Sequence, residues 1–213
     1  MAEKVDLRVL ELICSRLCHE LISPVTAVNN GMELVADGGA DMLYEVSELL
    51  TSSAAEASAC LQFYRIAYGL GGQDAPPISL GEAKRLTEGV LRQGKVTLTW
   101  TLGELGSDGG LGRRGMKLLL NALVMAMDAL PRGGKLTVTM DPAARAAVLE
   151  SAGTGARVEA ASRDALARAI PVEALTARNV HAYFTSLVAA AAGGTLEIAE
   201  EPDRVVLRLS LKQ

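Results

Sequence analysis

The N-terminal third of this chain contains almost nothing that would stop a helix, and this restricts its fold more than any other feature. From about Val5 to Ala36 the only glycine is Gly31 and the only proline is Pro24. From about Asp41 to Leu70 a second helical pattern follows, with Met42, Val46, Leu49, Leu50, Ala57, Leu61, Tyr64 and Ala67 in register. Each predicts a helix on the order of 45 Å long. Asp37-Gly38-Gly39-Ala40 leaves room between them only for a short turn, so the two form an antiparallel hairpin. Such a hairpin cannot bury its apolar stripe alone. The simplest partner is a second copy, which predicts a homodimer with a four-helix bundle at its centre.

The texture changes after Gly69–Pro77, a linker reading GLGGQDAPP. The expected division is therefore 1–72 for the hairpin and 78–213 for a second unit. Ser79-Leu80-Gly81-Glu82 has the form of a capping box, opening a helix to about Gln93. Lys95–Leu102 alternates and is rich in Val, Thr and Trp, so it is a strand. A glycine-rich loop (Gly103–Gly112), a helix (Arg113–Leu130) and a strand hairpin (Lys135–Met140 and Ala147–Ser151) follow. A short helix near Ser162–Ala169, a clearer one near Arg178–Ala192, and strands Thr195–Ala199 and Arg204–Leu211 complete the pattern. These elements predict a mixed α/β sandwich, with helices on one face of a largely antiparallel sheet.

A net charge of −4 offers no electrostatic reason for nucleic acid to bind. No apolar run reaches the roughly 18–20 residues needed to span a bilayer. The opening MAEKVDLRVLEL lacks the apolar block of a signal peptide, so a soluble cytoplasmic protein is expected. Three cysteines, Cys14, Cys18 and Cys60, are too few and odd in number for a disulfide framework. Cys14, Cys18 and His19 raise the question of a metal. Both cysteines fall toward the apolar side of the first helix and His19 on the opposite side, so the three cannot converge. The cysteines are expected to be small buried hydrophobes, with no metal and no cofactor in the chain.

His19 carries the chemistry. At 100° per residue, Arg8, Ser15, Ser23, Thr26 and Asn30 lie within about 40° of it. Leu10, Leu17, Leu21, Val28 and Val35 lie within about 20° of the opposite direction. The histidine therefore points away from the apolar seam, on a stripe of small polar residues where another protein could dock. Arg16, Ile22, Ser23, Thr26 and Asn30 are the expected docking residues. Leu12 and Ile22 are isolated apolar neighbours; each either anchors a partner or touches the second helix or the attached domain. Imidazole is nucleophilic near neutral pH, with a reference pKa of about 6.5. Glu20 can reach round the helix to bond one ring nitrogen and leave the other free to attack. Pro24 should bend the helix one turn beyond. On these residues alone, an ordinary exposed histidine is the stronger description.

The run His19-Glu20-Leu21-x-x-Pro24 on the first of two long helices resembles the phosphoacceptor box of sensor histidine kinases. The stretch from Leu118 to Ala126, with its ending Pro131-Arg132-Gly133-Gly134-Lys135-Leu136-Thr137-Val138, resembles the N-box helix of the kinase ATPase domain. Gly193-Gly194-Thr195-Leu196-Glu197-Ile198 and the final strand resemble the end of that domain. The departures matter as much. Met125 stands where the N-box asparagine would bind Mg²⁺, and a thioether does not ligate a hard cation; only the outer asparagine, Asn121, remains. Ser151 stands where an aspartate would read adenine, two residues before Gly153-x-Gly155. Ala174–Asn179 lacks the glycines of the nucleotide lid.

A phosphoacceptor dimer with a degenerate ATPase domain is similar to the histidine phosphotransferase ChpT family of alphaproteobacteria, as is the stretch Asn29-Asn30-Gly31-Met32-Glu33-Leu34. The resemblance implies a phosphorelay that serves cell-cycle control. The receiver domain of a CckA-like hybrid kinase would charge His19, and CtrA-like and CpdR-like response regulators would discharge it. Mg²⁺ would sit in the receiver. Only His19 as acceptor and Glu20 as its assistant are carried over. Two other readings stay open: a kinase with an atypical ATP site, and a non-catalytic scaffold for receivers. His181 is expected to be packing or surface. Arg113, Arg114 and Lys117, which sit where a kinase would hold phosphates, are expected to form a solvated basic face.

Overall fold

The computed structural model describes residues 5–69, 78–92, 94–101 and 108–212, apart from the side chains of residues 40 and 41. The linker expected at Gly69–Pro77 lies outside these beyond its first residue, as do Gln93, Leu102 at the end of the expected strand and residues 103–107 of the glycine-rich loop.

Two helices form the hairpin, α1 (Leu7–Gly38) and α2 (Ala40–Ala67). Asp6 caps α1, its side chain accepting from the Arg8 amide at 2.8 Å. The chain reverses at Gly39 alone, with φ 73°, a conformation that only glycine adopts without strain. The reversal is tighter than the four-residue turn expected. A side chain at Gly31 would meet Leu50 Cδ2 at 2.7 Å, so glycine lets α1 and α2 approach there. Pro24 is buried inside α1. The face that α1 buries within the chain is Val9, Ile13, Pro24 and Gly31. This face is rotated about 60° from the leucine stripe of the sequence reading. Leu10, on that stripe, is 57 % exposed. Cys14 and Cys18, expected to be buried, are exposed for the same reason, and Cys60 of α2 is the buried one. Among the described residues no group of His, Cys, Asp and Glu is placed to hold a metal ion. No helix among them is long and apolar enough to cross a membrane.

The second unit begins with α3 (Leu80–Leu91), whose cap Ser79 accepts from the Glu82 amide at 3.1 Å. Five strands follow, β1 (Val96–Thr101), β2 (Gly134–Asp141), β3 (Ala146–Ala152), β4 (Gly194–Glu201) and β5 (Arg204–Leu211). They form one sheet in the order β1-β2-β3-β5-β4. The β1–β2 pair is parallel and the rest antiparallel. The parallel pair requires a crossover, and α4 (Gly112–Asp128) provides it. Arg145 and Asp203 take left-handed turns (φ 50° and 59°) at the two hairpins. Period-two alternation sends Ala147, Leu149 and Ser151 of β3 inward, with Leu136, Val138, Val205, Leu207 and Leu209.

Helices α4 and α6 (Val180–Ala192) cover that inner face, and α5 (Ala160–Leu166) packs on α6. A single 3₁₀ turn, Val172–Ala174, precedes α6 and has no counterpart in the sequence reading. α4 is buried on every side from Leu118 to Ala126, because it lies between the sheet, α6 and the hairpin. Leu118, Leu119, Leu120 and Leu123 are fully buried, each stabilising the fold by roughly 1.5–3 kcal/mol relative to an exposed position.

Candidate functional site

His19 is exposed on the middle of α1. Ser15, Ser23, Thr26 and Asn30 on the same stripe are exposed as well, so the accessible face read from helical angles is present in the structure. Of the two apolar neighbours, Leu12 packs against the hydrophobic core, whereas Ile22 is 65 % exposed. Ile22 is thus the one free to meet a partner.

Below His19, the same face of α1 rests on the second unit. Arg8 Nη2 donates to the Leu175 carbonyl at 3.0 Å. Arg16 Nη2 donates to both carboxylate oxygens of Asp128, at 2.9 and 2.7 Å. The Arg16 side chain is only 10 % exposed, so its cation serves this ion pair and does not join the open stripe with the other docking residues. Asp128, at the end of α4, was not singled out from sequence, since nothing local marks an aspartate as the partner of a residue so far back in the chain.

Glu20 is half-buried, and among the described residues no hydrogen bond joins it to the His19 ring. Its carboxylate lies within electrostatic range of Arg16, Tyr64 and Cys60. Burial pushes the Cys60 thiol up to about 11, with Glu56 and Glu20 adding to the effect.

Beside Arg16 lies a cavity of about 240 Å³. Its wall takes Met125 and Asp128 from α4, Arg157 from the segment after β3, Ser162 from α5, Arg178 from just before α6 and His181 from its first turn. The kinase resemblance assigns Met125 and Arg178 of this wall to the N-box and the lid, and Asn121, Ser151, Gly153 and Gly155 to the rest of a nucleotide site. The residues left at those positions are committed to the fold. Ser151 is fully buried and donates to the Ala126 carbonyl at 2.7 Å, closing β3 on α4. Asn121 is also fully buried, its Nδ2 donating to the carbonyls of Ala67 and Lys117, both at 2.8 Å. Gly153 and Gly155 form a turn against the β4–β5 hairpin, their amides donating to the Asp203 backbone carbonyl and side chain. The volume itself is below the roughly 300–1,000 Å³ usual for small-molecule sites.

Of the basic cluster expected to form a solvated face, Arg114 is exposed and Lys117 is half-buried. Lys117 Nζ donates to the carbonyls of Tyr68 and Gly69, at 3.2 and 2.8 Å. Arg114 donates to the Ala191 carbonyl at the end of α6 at 3.0 Å. Both satisfy the orphan acceptors of a helix C-terminus, where a cation is also favoured by the helix dipole. Burial lowers the Lys117 pKa. His181 is packing, as expected, and is 1 % exposed. The Tyr68 hydroxyl lies 3.1 Å from Nδ1, and the Asn121 carbonyl lies 3.0 Å from Nε2. A carbonyl only accepts, so Nε2 carries the hydrogen and Tyr68 donates to Nδ1. Burial, reinforced by the Arg16 charge, pushes the ring pKa down to about 3, so it is neutral.

Residues 80–204 match the family model described as the histidine phosphotransferase C-terminal domain. The protein phosphotransferase ChpT of Brucella abortus (strain 2308) is 38% identical over 200 residues, covering 92% of this chain and 91% of that one. A solved bacterial phosphotransferase superposes with a TM-score of 0.78 at 33% identity, over 98% of both chains. A hairpin of long helices leading into a five-stranded mixed sheet is therefore the architecture of a known group, and the chain belongs to the histidine phosphotransferase ChpT family.

Proposed function

We propose that this protein is a phosphorelay carrier that holds a phosphoryl group on His19 and draws none from ATP. A ring nitrogen of His19 attacks the phosphorus of an aspartyl phosphate on a receiver domain. The N–P bond forms as the P–O bond to the aspartate breaks, and the carboxylate leaves. The reverse step, onto the aspartate of a second receiver, discharges the histidine. The donor is the receiver of a CckA-like hybrid kinase, and the acceptors are CtrA-like and CpdR-like response regulators. Mg²⁺ in the receiver neutralises the charge on the phosphoryl group, so this chain needs only to present an oriented imidazole and a docking surface.

The observation that carries this reading is an open histidine on α1 beside a nucleotide-type cavity whose key positions are occupied by fold-serving side chains. Ile22, Ser23, Thr26 and Asn30 form the docking stripe with His19, and Arg16 supports it from below. Glu20 is the assistant. Its carboxylate turns outward from the Arg16 side to accept the ring N–H, leaving the other nitrogen free.

The working protein is a cytoplasmic homodimer. Residues 1–72 form the dimerisation and transfer unit, and residues 78–213 form the ATPase-like unit. Support for the dimer comes from the uncovered apolar face of the hairpin. Leu10, Met32, Leu43, Leu49 and Leu61 are each about half exposed. A cavity of about 520 Å³ opens between Val9, Leu10, Ile13, Leu17 and Leu61. Apolar surface of this extent marks an interface.

A kinase with an atypical ATP site and a non-catalytic scaffold are the competing readings. Labelled ATP alone, followed by analysis for alkali-stable phosphate, separates the first: the carrier stays unlabelled, and the kinase labels itself. A labelled phospho-receiver mixed with wild-type or His19→Ala protein separates the second. A scaffold leaves the label in the same place in both mixtures.

A further inference from the structure

The carbonyls of Ala67, the last residue of α2, and of Tyr68 and Gly69 just beyond it have no acceptor role within the helix. All three are taken by donors from one stripe of α4. Lys117 Nζ reaches the Tyr68 and Gly69 carbonyls, and Asn121 Nδ2 reaches that of Ala67. The pair is spaced i, i+4, so both side chains leave α4 on the same side. α6 holds the same turn from another direction. Tyr68 bonds His181, and its ring meets Phe184 edge-on at 5.6 Å between centroids. Lys117 Nζ lies 5.5 Å from the centre of that Phe184 ring. Asn121 accepts a cost for its place, because its Oδ1 is buried without a partner. A residue kept for packing alone would not need to be polar there.

These bonds fix the end of α2, and Arg8 and Arg16 fix α1 at separate points. Helices joined to each other and held at several separated points cannot rotate against the second unit. Arg16 is less than one helical turn from His19, so the wall of the second unit stands at one set place beside the histidine.

We infer that Lys117 and Asn121 are positioning residues: they lock the ATPase-like unit to the hairpin at one angle, so that a receiver meets His19 and that unit as a single rigid dock. The inference rests on the relay reading for the identity of the partner. Its physical content is preorganisation. A loosened unit would have to be ordered each time a receiver bound, which weakens docking and leaves the chemical step alone.

The test uses the full-length protein with Lys117→Met and Asn121→Leu combined. Spin labels are placed at Glu48→Cys and Thr139→Cys in a Cys14→Ser, Cys18→Ser background. Labelled protein is diluted with unlabelled protein to give one labelled protomer per assembly. The expected result is a broadened label-to-label distance and a KM for phospho-receiver raised about tenfold, the order of one lost charge-assisted bond. The kcat of transfer and the charging of His19 by phosphoramidate, a small donor that needs no dock, stay as in wild type. Lys117→Arg, which keeps a donor for the carbonyls, restores both readouts and separates positioning from a folding defect. An unbroadened distance, or a broadened one with KM unchanged, overturns the inference. Failure of a phospho-receiver to charge the wild-type protein overturns the relay reading instead, and the distances still report on the lock.

Discussion

Replacing Asp128 with alanine removes the carboxylate from an ion pair whose other half is almost fully covered. The Arg16 side chain is 10 % exposed and that of Asp128 is 48 % exposed. Breaking a fully buried pair costs about 3–5 kcal/mol, because a charge is stranded. An exposed pair contributes about 0–1 kcal/mol. With one end covered and the other half in water, the Asp128→Ala cost falls between these, at about 2 kcal/mol. With a urea m value of about 2 kcal/mol/M, the unfolding midpoint should fall by about 1 M. Adding Arg16→Met removes the stranded charge, so the double variant should lose less than the sum of the two singles, by about 1–2 kcal/mol. The assay is urea unfolding of all four proteins at one fixed concentration, since the stability of a dimer depends on it. A midpoint for Asp128→Ala equal to wild type, or strictly additive single variants, would refute the assignment of this pair as the tie between α1 and α4.

Three further outcomes are expected. The ring of His181 takes up no proton in the folded chain until pH approaches about 3, whereas in the unfolded chain it does so near 6.5, so the unfolded state binds more protons between these values. Stability due to this group is present above about pH 6.5 and is lost as pH falls, by up to ~1.4 kcal/mol per pH unit; His181→Gln should flatten the pH profile of urea midpoints in that window by the corresponding amount, and an unchanged slope would contradict the buried neutral ring. Ile22→Ser should raise the KM for phospho-receiver about tenfold while leaving phosphoramidate charging of His19 intact, in line with the loss of an apolar anchor; an unchanged KM would remove Ile22 from the dock. Leu61→Glu on the uncovered hairpin face should shift sedimentation velocity toward the monomer, and an unaltered dimer would place the interface elsewhere.

The fold was legible because helices this long, in sequence this free of breakers, have few alternatives, and because strands flanked by Gly and Pro announce themselves by period two. The His19 stripe was legible for the same reason: angles around a helix follow from counting. Counting could not show which apolar face of α1 the chain itself covers. Leucines at positions 10, 17 and 21 form the stronger stripe, yet Val9, Ile13, Pro24 and Gly31 are the residues buried against the rest of the chain. Cys14 and Cys18 were misplaced by that rotation. Long-range pairings were also invisible. Nothing local to Arg16 announces Asp128, and nothing local to Lys117 announces the carbonyls of α2, because those contacts exist only once both units have packed. Leu12 and Ile22 look alike in sequence and part company for the same reason: the packed core covers one and leaves the other exposed.

The most direct test of the relay is rapid-quench transfer from a phosphorylated receiver to this protein, with the phosphoryl group located by mass spectrometry of the intact chain under alkaline conditions. The account predicts a single phosphoryl group on His19 that appears as the receiver loses its own and then passes to a second, unphosphorylated receiver. Phosphate found on any other residue, or transfer that persists in His19→Ala, would contradict it.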